Sequence, residues 1–213
     1  MTPIVDFAGT CFASLIATGA TVLPVFNLSP LFMIPPVVLG ELPLSQPARV
    51  FLFAVLAMGG FVTLSAILNQ VSYNLMKSRI LKRRTWDLNI CCGMTDGGGI
   101  NADIVRHADV PRFVRIADIY KLPFDDNQFE HVLCSHTIEH VDDPERLRGE
   151  LHRVGKQVTF VLPPLWDITA ALNVLEHRHI FLTARKEHAS LPRYVKLPLA
   201  APIQRWIGQV IHA

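Results

Sequence analysis

Charged residues are absent from two long stretches of this 213-residue chain: none lies between Phe7 and Gly40, and none between Val50 and Met76. Each stretch exceeds the roughly 20 apolar residues with which a helix crosses about 30 Å of hydrocarbon, so the first third of the chain does not read as an ordinary solvated domain. Cysteine is scarce as well. The four cysteines form no CxxC pair, two of them adjoin at Cys91 and Cys92, and neighbours in sequence rarely bridge. A disulfide framework is thereby excluded, a structural zinc site has little support, and a reducing setting is the simpler expectation for the later part. The formal net charge is only +2, so bulk electrostatics offer nothing to a polyanion, and no nucleic-acid partner is expected. Internal repeats and low-complexity segments are also missing.

The apolar runs predict a membrane anchor over residues 1–76. Val50 to Leu68 is the cleaner span, interrupted only by Gly59-Gly60 and small hydroxyl residues. Phe7 to Val25 is a second candidate, but Pro24, Pro30 and Pro35-Pro36 break up its far end and the segment beyond, so Asn27 to Pro47 reads as a loop or an interfacial segment. The expectation is a two-span hairpin, with a single anchor at Val50 to Leu68 as the alternative. A signal peptide fits the first run poorly, because residues 1–6 carry Asp6 and no basic residue. Lys77, Arg79, Lys82, Arg83 and Arg84 come after the second span as a basic linker over 77–85. By the positive-inside rule, everything after Met76 is then expected to be cytoplasmic, on a multi-pass protein of the inner membrane. The same basic cluster suits contact with lipid headgroups.

From Trp86 onward the texture changes to short strands between loops. Leu88 to Cys91, Ile100 to Ile104, Phe113 to Asp118, Phe129 to Cys134 and Gln157 to Leu162 read as strands, and Glu145 to Val154 as a helix. The stretch from Leu122 to Pro144 organises the region. Asp125, Asp126 and Asn127 favour a turn, and Phe129 to Cys134 is an apolar run suited to burial on both sheet faces. Ser135, His136, Thr137, Glu139 and His140 then leave the strand end where an open α/β sheet meets its ligand. Pro144, with Asp142 or Asp143 as cap, restarts the chain as a helix.

Gly93, with Gly97-Gly98-Gly99 beyond it, comes after the first strand, while Asp103 and Asp118 end the second and third. Glycines admit close backbone approach, and a carboxylate accepts both hydroxyls of a ribose. With Leu-Pro-Phe-Asp-Asp-Asn-Gln-Phe over 122–129 and Ile-Glu-His-Val over 138–141, the order resembles class I S-adenosylmethionine-dependent methyltransferases from about Leu88 to Leu162. A weaker echo lies at Glu176 to Phe181. The resemblance implies a truncated α/β, Rossmann-like domain over 86–213, with a mostly parallel sheet of about five strands. It implies S-adenosylmethionine as cofactor, Gly93 at its methionine end, Asp103 on the ribose, and Asp118 beside the adenine with Ile119 and Tyr120. Ser135 and His136 then fall near the methyl group, with His136 as proton acceptor. The expected partners are the lipid bilayer, subunits of a membrane complex, and a small-molecule or lipid-linked substrate. Cys91 stands where the family has glycine, the link from Cys92 to Gly99 is too short for a full crossover helix, and the closing antiparallel strands are not evident beyond His179 to Leu182. These departures motivate a second reading, a catalytically inactive accessory subunit.

Other readings compete for the same residues. His136-Thr-Ile-Glu-His140 has the H-x-x-E-H spacing of a metallopeptidase class, but that chemistry needs a continuous helix where Val132 to Ser135 reads as strand. His177 and His179, two apart, point to different faces, so a shared metal is not expected. His140 fits loop packing better than catalysis. Asp96 suits a turn-forming role, and Cys91 and Cys92 suit small buried positions. Tyr194 to His212 is expected to end in a short amphipathic helix, lying on the membrane or packed on the incomplete sheet.

Overall fold

The computed structural model describes residues 45–206. The apolar run from Phe7 to Gly40 therefore lies outside the described residues, as does the end of the expected C-terminal helix. The chain divides into two compact units, Met1–Val62 and Thr63–Ala213.

The described part of the first unit is helical. Helix α1 (Gln46–Gln70) runs through a π-helical turn (Val71–Lys77) into α2 (Ser78–Lys82), a run of 37 residues. Val50, Phe51, Phe53, Met58, Phe61 and Leu64 are all exposed along it. A helix apolar on every side is not the one-striped helix of a soluble surface, and this one is long and apolar enough to cross a membrane.

The second unit is built on a six-stranded sheet of order β3-β2-β1-β4-β5-β7. Its strands are β1 (Trp86–Ile90), β2 (Gly98–Asp103), β3 (Phe113–Arg115), β4 (Phe129–Ser135), β5 (Gly155–Val161) and β7 (Glu187–His188). The first five are mutually parallel, and only β7 runs antiparallel, against β5. The arrangement is the Rossmann-like α/β sheet expected from the sequence. The closing strand differs: β6 (His179–Phe181) does not join the sheet but pairs antiparallel with β8 (Tyr194–Lys196) as a separate ribbon. The segment that does close the edge is too short and too polar to read as a strand locally.

Both faces of the central strands are buried, as a parallel sheet requires. On one face Leu88, Ile90, Val132, Cys134, Val158 and Phe160 pack with Leu147, Leu151 and Val154 of α3 (Pro144–Val154). Asp143 caps α3, its carboxylate accepting from the Arg146 amide at 3.0 Å, with Pro144 in the first turn. Arg153 ties α3 back to the preceding turn through the carbonyls of Leu122 and Phe124, at 3.0 and 2.8 Å. On the other face Trp86, Leu133 and Val161 pack with Ile80 and Leu81 of α2. The foot of the long helix thus covers the surface left bare because no helix lies between β1 and β2.

Only residues 91–97 return the chain from β1 to β2, too few for the usual crossover helix. A buried amide network replaces it. Asn89 donates to Thr95 O and to Asn101 Oδ1, while Asn101 donates to Asp96 and Pro111 O and accepts from the Gly97 amide. Asp96 accepts from the Gly98 amide as well, and these hydrogen bonds hold its carboxyl below the usual range. Gly98 and Gly99 consequently open β2, with Gly97 just before it and Gly98 paired with Trp86, and the three are not on the ligand edge where the sequence placed them. Glycine is needed there for close approach: a Cβ at Gly99 would run into the carbonyl oxygens of Trp86 and Asp87. Gly99→Ala is expected to cost at least about 2 kcal/mol by forcing β1 and β2 apart. A midpoint unchanged in thermal unfolding monitored by circular dichroism would contradict this packing.

Candidate active site

The C-terminal ends of β1 to β4 gather most of the expected site residues. Gly93, just past β1, has φ of 55° and open space where a Cβ would point, so its backbone is bare to a ligand. Its amide donates to Asp103 Oδ2 at 2.9 Å, and the Ile104 amide donates to Asp103 Oδ1 at 2.8 Å. These bonds fix the carboxylate at the end of β2. A carboxylate offers about four acceptor positions, so two remain for a diol. Asp118 lies just after β3 and is half-buried, its carboxylate accepting from the Tyr120 amide at 2.8 Å. The Ile116 amide donates to Asp103 O, which holds the ends of β2 and β3 together.

The two adenine-side candidates differ in their surroundings. Ile119 is only 1% exposed and belongs to the hydrophobic core, because the turn after β3 buries it beneath the sheet edge. The Tyr120 hydroxyl accepts from the Asp143 amide while Arg146 lies over the ring, so this side chain braces the start of α3. Cys91 adopts φ of 48° at the position where the resemblance wants glycine, a conformation unfavourable for a side-chain-bearing residue. Burial, reinforced by Cys134 and Asp103, pushes its thiol well up. Burial likewise raises Cys92 to about 11 and Cys134 to about 12, so all three are protonated packing residues.

His136, immediately after β4, also has a left-handed backbone, with φ of 54°. Its ring lies 5.4 Å from that of Tyr73 in the π-helical turn. Nδ1 is 3.1 Å from Glu139 Oε1, while Nε2 is buried with no protein partner. Burial lowers the His136 pKa to about 4 against the raising influence of Glu139. Burial opposes the charge on Glu139, yet the His136 hydrogen bond and the fields of His136, His140 and His177 outweigh it and bring the carboxyl to about 2. The pair is therefore a neutral imidazole on a carboxylate. That assigns the ring proton to Nδ1 and leaves Nε2 as an acceptor. Ser135 Oγ is buried and unpartnered beside it.

The structure adds groups that no local pattern singled out. Lys186 is 2% exposed and donates to Ser72 Oγ at 2.8 Å. Asp167, fully buried, accepts from Asn69 Nδ2 at 3.2 Å and caps α4 (Ile168–Ala171). Arg83 and Glu187 pair at the β7 edge. These bonds clamp residues 69–83 onto the sheet domain over sequence separations of about a hundred residues, beyond any periodicity. Burial lowers Lys186 to about 8, against Asp167 and Glu139, which raise it, and with Lys77. A base depressed in the fold is penalised below that value and relieved as pH rises toward its unfolded value near 10.5. Stability relative to Lys186→Met should thus rise by about 2–3 kcal/mol between pH 8 and 10.5. The raised thiols act in the opposite sense in both proteins, so the comparison cancels them. A pH-independent difference in unfolding midpoints would contradict a buried Lys186.

Residues 86–161 match the model of a family described as a methyltransferase domain, which bears out the resemblance seen in the sequence and implies S-adenosylmethionine as its cofactor. No curated protein matches the chain. Among solved structures, the YcgJ protein of Bacillus subtilis is similar at 20% identity and TM-score 0.36, over 50% of this chain and 61% of its own. A SAM-dependent methyltransferase of Thermotoga maritima is similar at 19% identity and TM-score 0.32, over 46% and 61%. One from Aquifex aeolicus reaches 15% identity and TM-score 0.34, over 46% and 70%. The chain thus spans about three fifths of the length of the first two.

Proposed function

We propose that this chain is an S-adenosylmethionine-dependent methyltransferase, tethered to the inner membrane with its domain in the cytoplasm, that acts on a membrane-associated or lipid-linked acceptor. The supporting observation is that the residues the resemblance assigns to the donor follow the C-terminal ends of three neighbouring parallel strands: Asp103 is the last residue of β2, and Gly93 and Asp118 come three residues after β1 and β3. Open space at Gly93 and the two spare acceptor positions on Asp103 fit the donor's methionine end and ribose. When bound, the donor supplies a sulfonium methyl group already activated for in-line transfer to oxygen or nitrogen. The protein's own task is to position and to accept a proton, for which His136 Nε2, oriented by Glu139, is the available group.

The tether motivates the acceptor class. Tyr73, against His136, lies five residues beyond the apolar stretch Val50 to Leu68, so an acceptor held at the headgroup level is within reach of this ring. The chain in nanodiscs of native lipid, given donor labelled in the methyl group, is expected to transfer label into the organic-extractable fraction. Label confined to water-soluble products would remove the lipid-linked part of the proposal. For topology, protease should digest the region from Trp86 in inverted vesicles and spare it in right-side-out ones.

The second reading, a non-catalytic subunit of a membrane complex, is favoured by Cys91 at φ of 48° and by the missing helix after β1. Absence of donor binding, with stoichiometric co-purifying subunits, would select it.

A further inference from the structure

We infer that Glu139, His140 and His177 form a site for one divalent transition-metal ion, of which zinc is the representative. Their ligand atoms all lie within 4.8 Å of one another. Ligands on a tetrahedral ion, at bonds of about 2.0–2.2 Å, stand roughly 3.3–3.6 Å apart, so small side-chain rotations close the set.

Two of the three residues carry buried polar atoms with nothing to bind. Glu139 is fully buried and its Oε2 has no partner; His177 is 5% exposed and its Nδ1 has none. Leaving such atoms unsatisfied costs about 1–3 kcal/mol each, more for a charged group. Their accumulation in one spot is explained by a cation that both would ligate.

The supporting contacts have the form a metal site requires. His140 Nδ1 is 3.1 Å from Glu176 O, which places its proton there and turns Nε2 into a lone-pair donor. Glu139 is oriented by His136 through its other oxygen. The backbone completes the clamp: Glu139 O accepts from the amides of Arg178 and His179 at 2.8 and 3.1 Å. That pairing brings the loop before β6 against the loop after β4 and sets the His140 and His177 rings 4.7 Å apart. Local reading missed the site because it judged His177 with His179, two residues away, whereas its partners lie nearly forty residues earlier.

Two imidazoles and one carboxylate suit zinc and its first-row neighbours, and disfavour magnesium and calcium, which prefer all-oxygen shells. Three protein ligands leave a coordination position for water or another molecule. The ion would staple the two loops and stand on the carboxylate that orients His136. The inference holds whether or not the chain transfers methyl groups.

The test uses the full chain, purified in detergent without a polyhistidine tag. Elemental analysis should find about one zinc per chain. After chelation, titration with Zn²⁺ should show one tight site, and Co²⁺ should give the visible absorption of a tetrahedral nitrogen–oxygen site. His140→Ala and His177→Ala should each weaken Zn²⁺ binding by about 100-fold or more, while the exposed His107→Ala should leave it unchanged. Lack of a stoichiometric site, or one that survives in the His140→Ala/His177→Ala double variant, would overturn the inference. Should the alanine variants fail to fold, the Co²⁺ spectrum of the unmodified chain decides: a one-to-one tetrahedral signal supports the site, and its absence overturns it.

Discussion

Asp103→Asn is expected to weaken S-adenosylmethionine binding by about 100-fold, equivalent to roughly 3 kcal/mol. The carboxylate at the end of β2 has two acceptor positions engaged by the Gly93 and Ile104 amides and two left for ribose hydroxyls. Hydrogen bonds to a charged acceptor contribute about 1.5–3 kcal/mol each, and an amide in this place loses the charge and half of the acceptors. The Gly93 turn loses its charged brace as well, so the bare glycine that would meet the methionine end is no longer held. Asp118→Asn should cost less, about 10-fold, since its carboxylate is only half-buried and already accepts from the Tyr120 amide. Isothermal titration of both variants, with circular dichroism as a check on folding, measures this order. Equal small losses, or a larger loss at Asp118, would contradict the assignment of the ribose to Asp103.

Trp86→Ala is expected to destabilise the domain by about 3–5 kcal/mol, the usual range for truncating a fully buried large aromatic. Trp86 is 1% exposed, packs with Leu133 and Val161 from the sheet and with Ile80 and Leu81 from α2, and donates from Nε1 to Leu81 O at 3.2 Å. It joins the foot of the long helix to the face that no crossover helix covers. Removing it should do more than leave a cavity. Limited proteolysis should newly cut near Lys82 to Arg84, where α2 would lift from the sheet. Trp86→Phe, which keeps most of the ring volume and loses only the N–H, should retain the larger part of the stability. A Trp86→Ala protein as stable as the parent would show that α2 does not close this face.

Local physics made a large part of the fold legible. Phe129 to Cys134 read as a buried strand and is one, fully buried from Val132 to Cys134; Pro144 with Asp142 or Asp143 read as a helix start, and it is the Asp143 carboxylate that caps that helix. Asp103 and Asp118 read as strand-end acids; Asp103 does end β2, whereas β3 stops at Arg115 and Asp118 follows it in a turn. Asp96 read as a turn former and accepts from the Gly98 amide. What was not legible depended on pairing across distance. Gly97-Gly98-Gly99 looked like a ligand loop because glycine permits many roles, and only the register of Gly98 with Trp86 shows that the three serve strand approach. Ile119 looked available beside Asp118, but the tight turn after β3 directs it inward. His179 to Leu182 looked like a closing strand, yet its partner is Tyr194 to Lys196, and the edge is taken by the polar pair Glu187–His188. Lys186 with Ser72, and Asn69 with Asp167, join segments about a hundred residues apart, for which periodicity carries no signal.

The central claim is that a nucleoside-binding edge is present beside the helix foot. Its most direct measurement is calorimetric titration of the unmodified full-length chain, in detergent, with S-adenosylmethionine, and with ATP as a nucleotide that lacks the methionine end. One site of micromolar affinity for S-adenosylmethionine, with no comparable heat from ATP, is the predicted result; no saturable heat from S-adenosylmethionine would contradict it and leave the anchored, non-catalytic subunit as the reading of this chain.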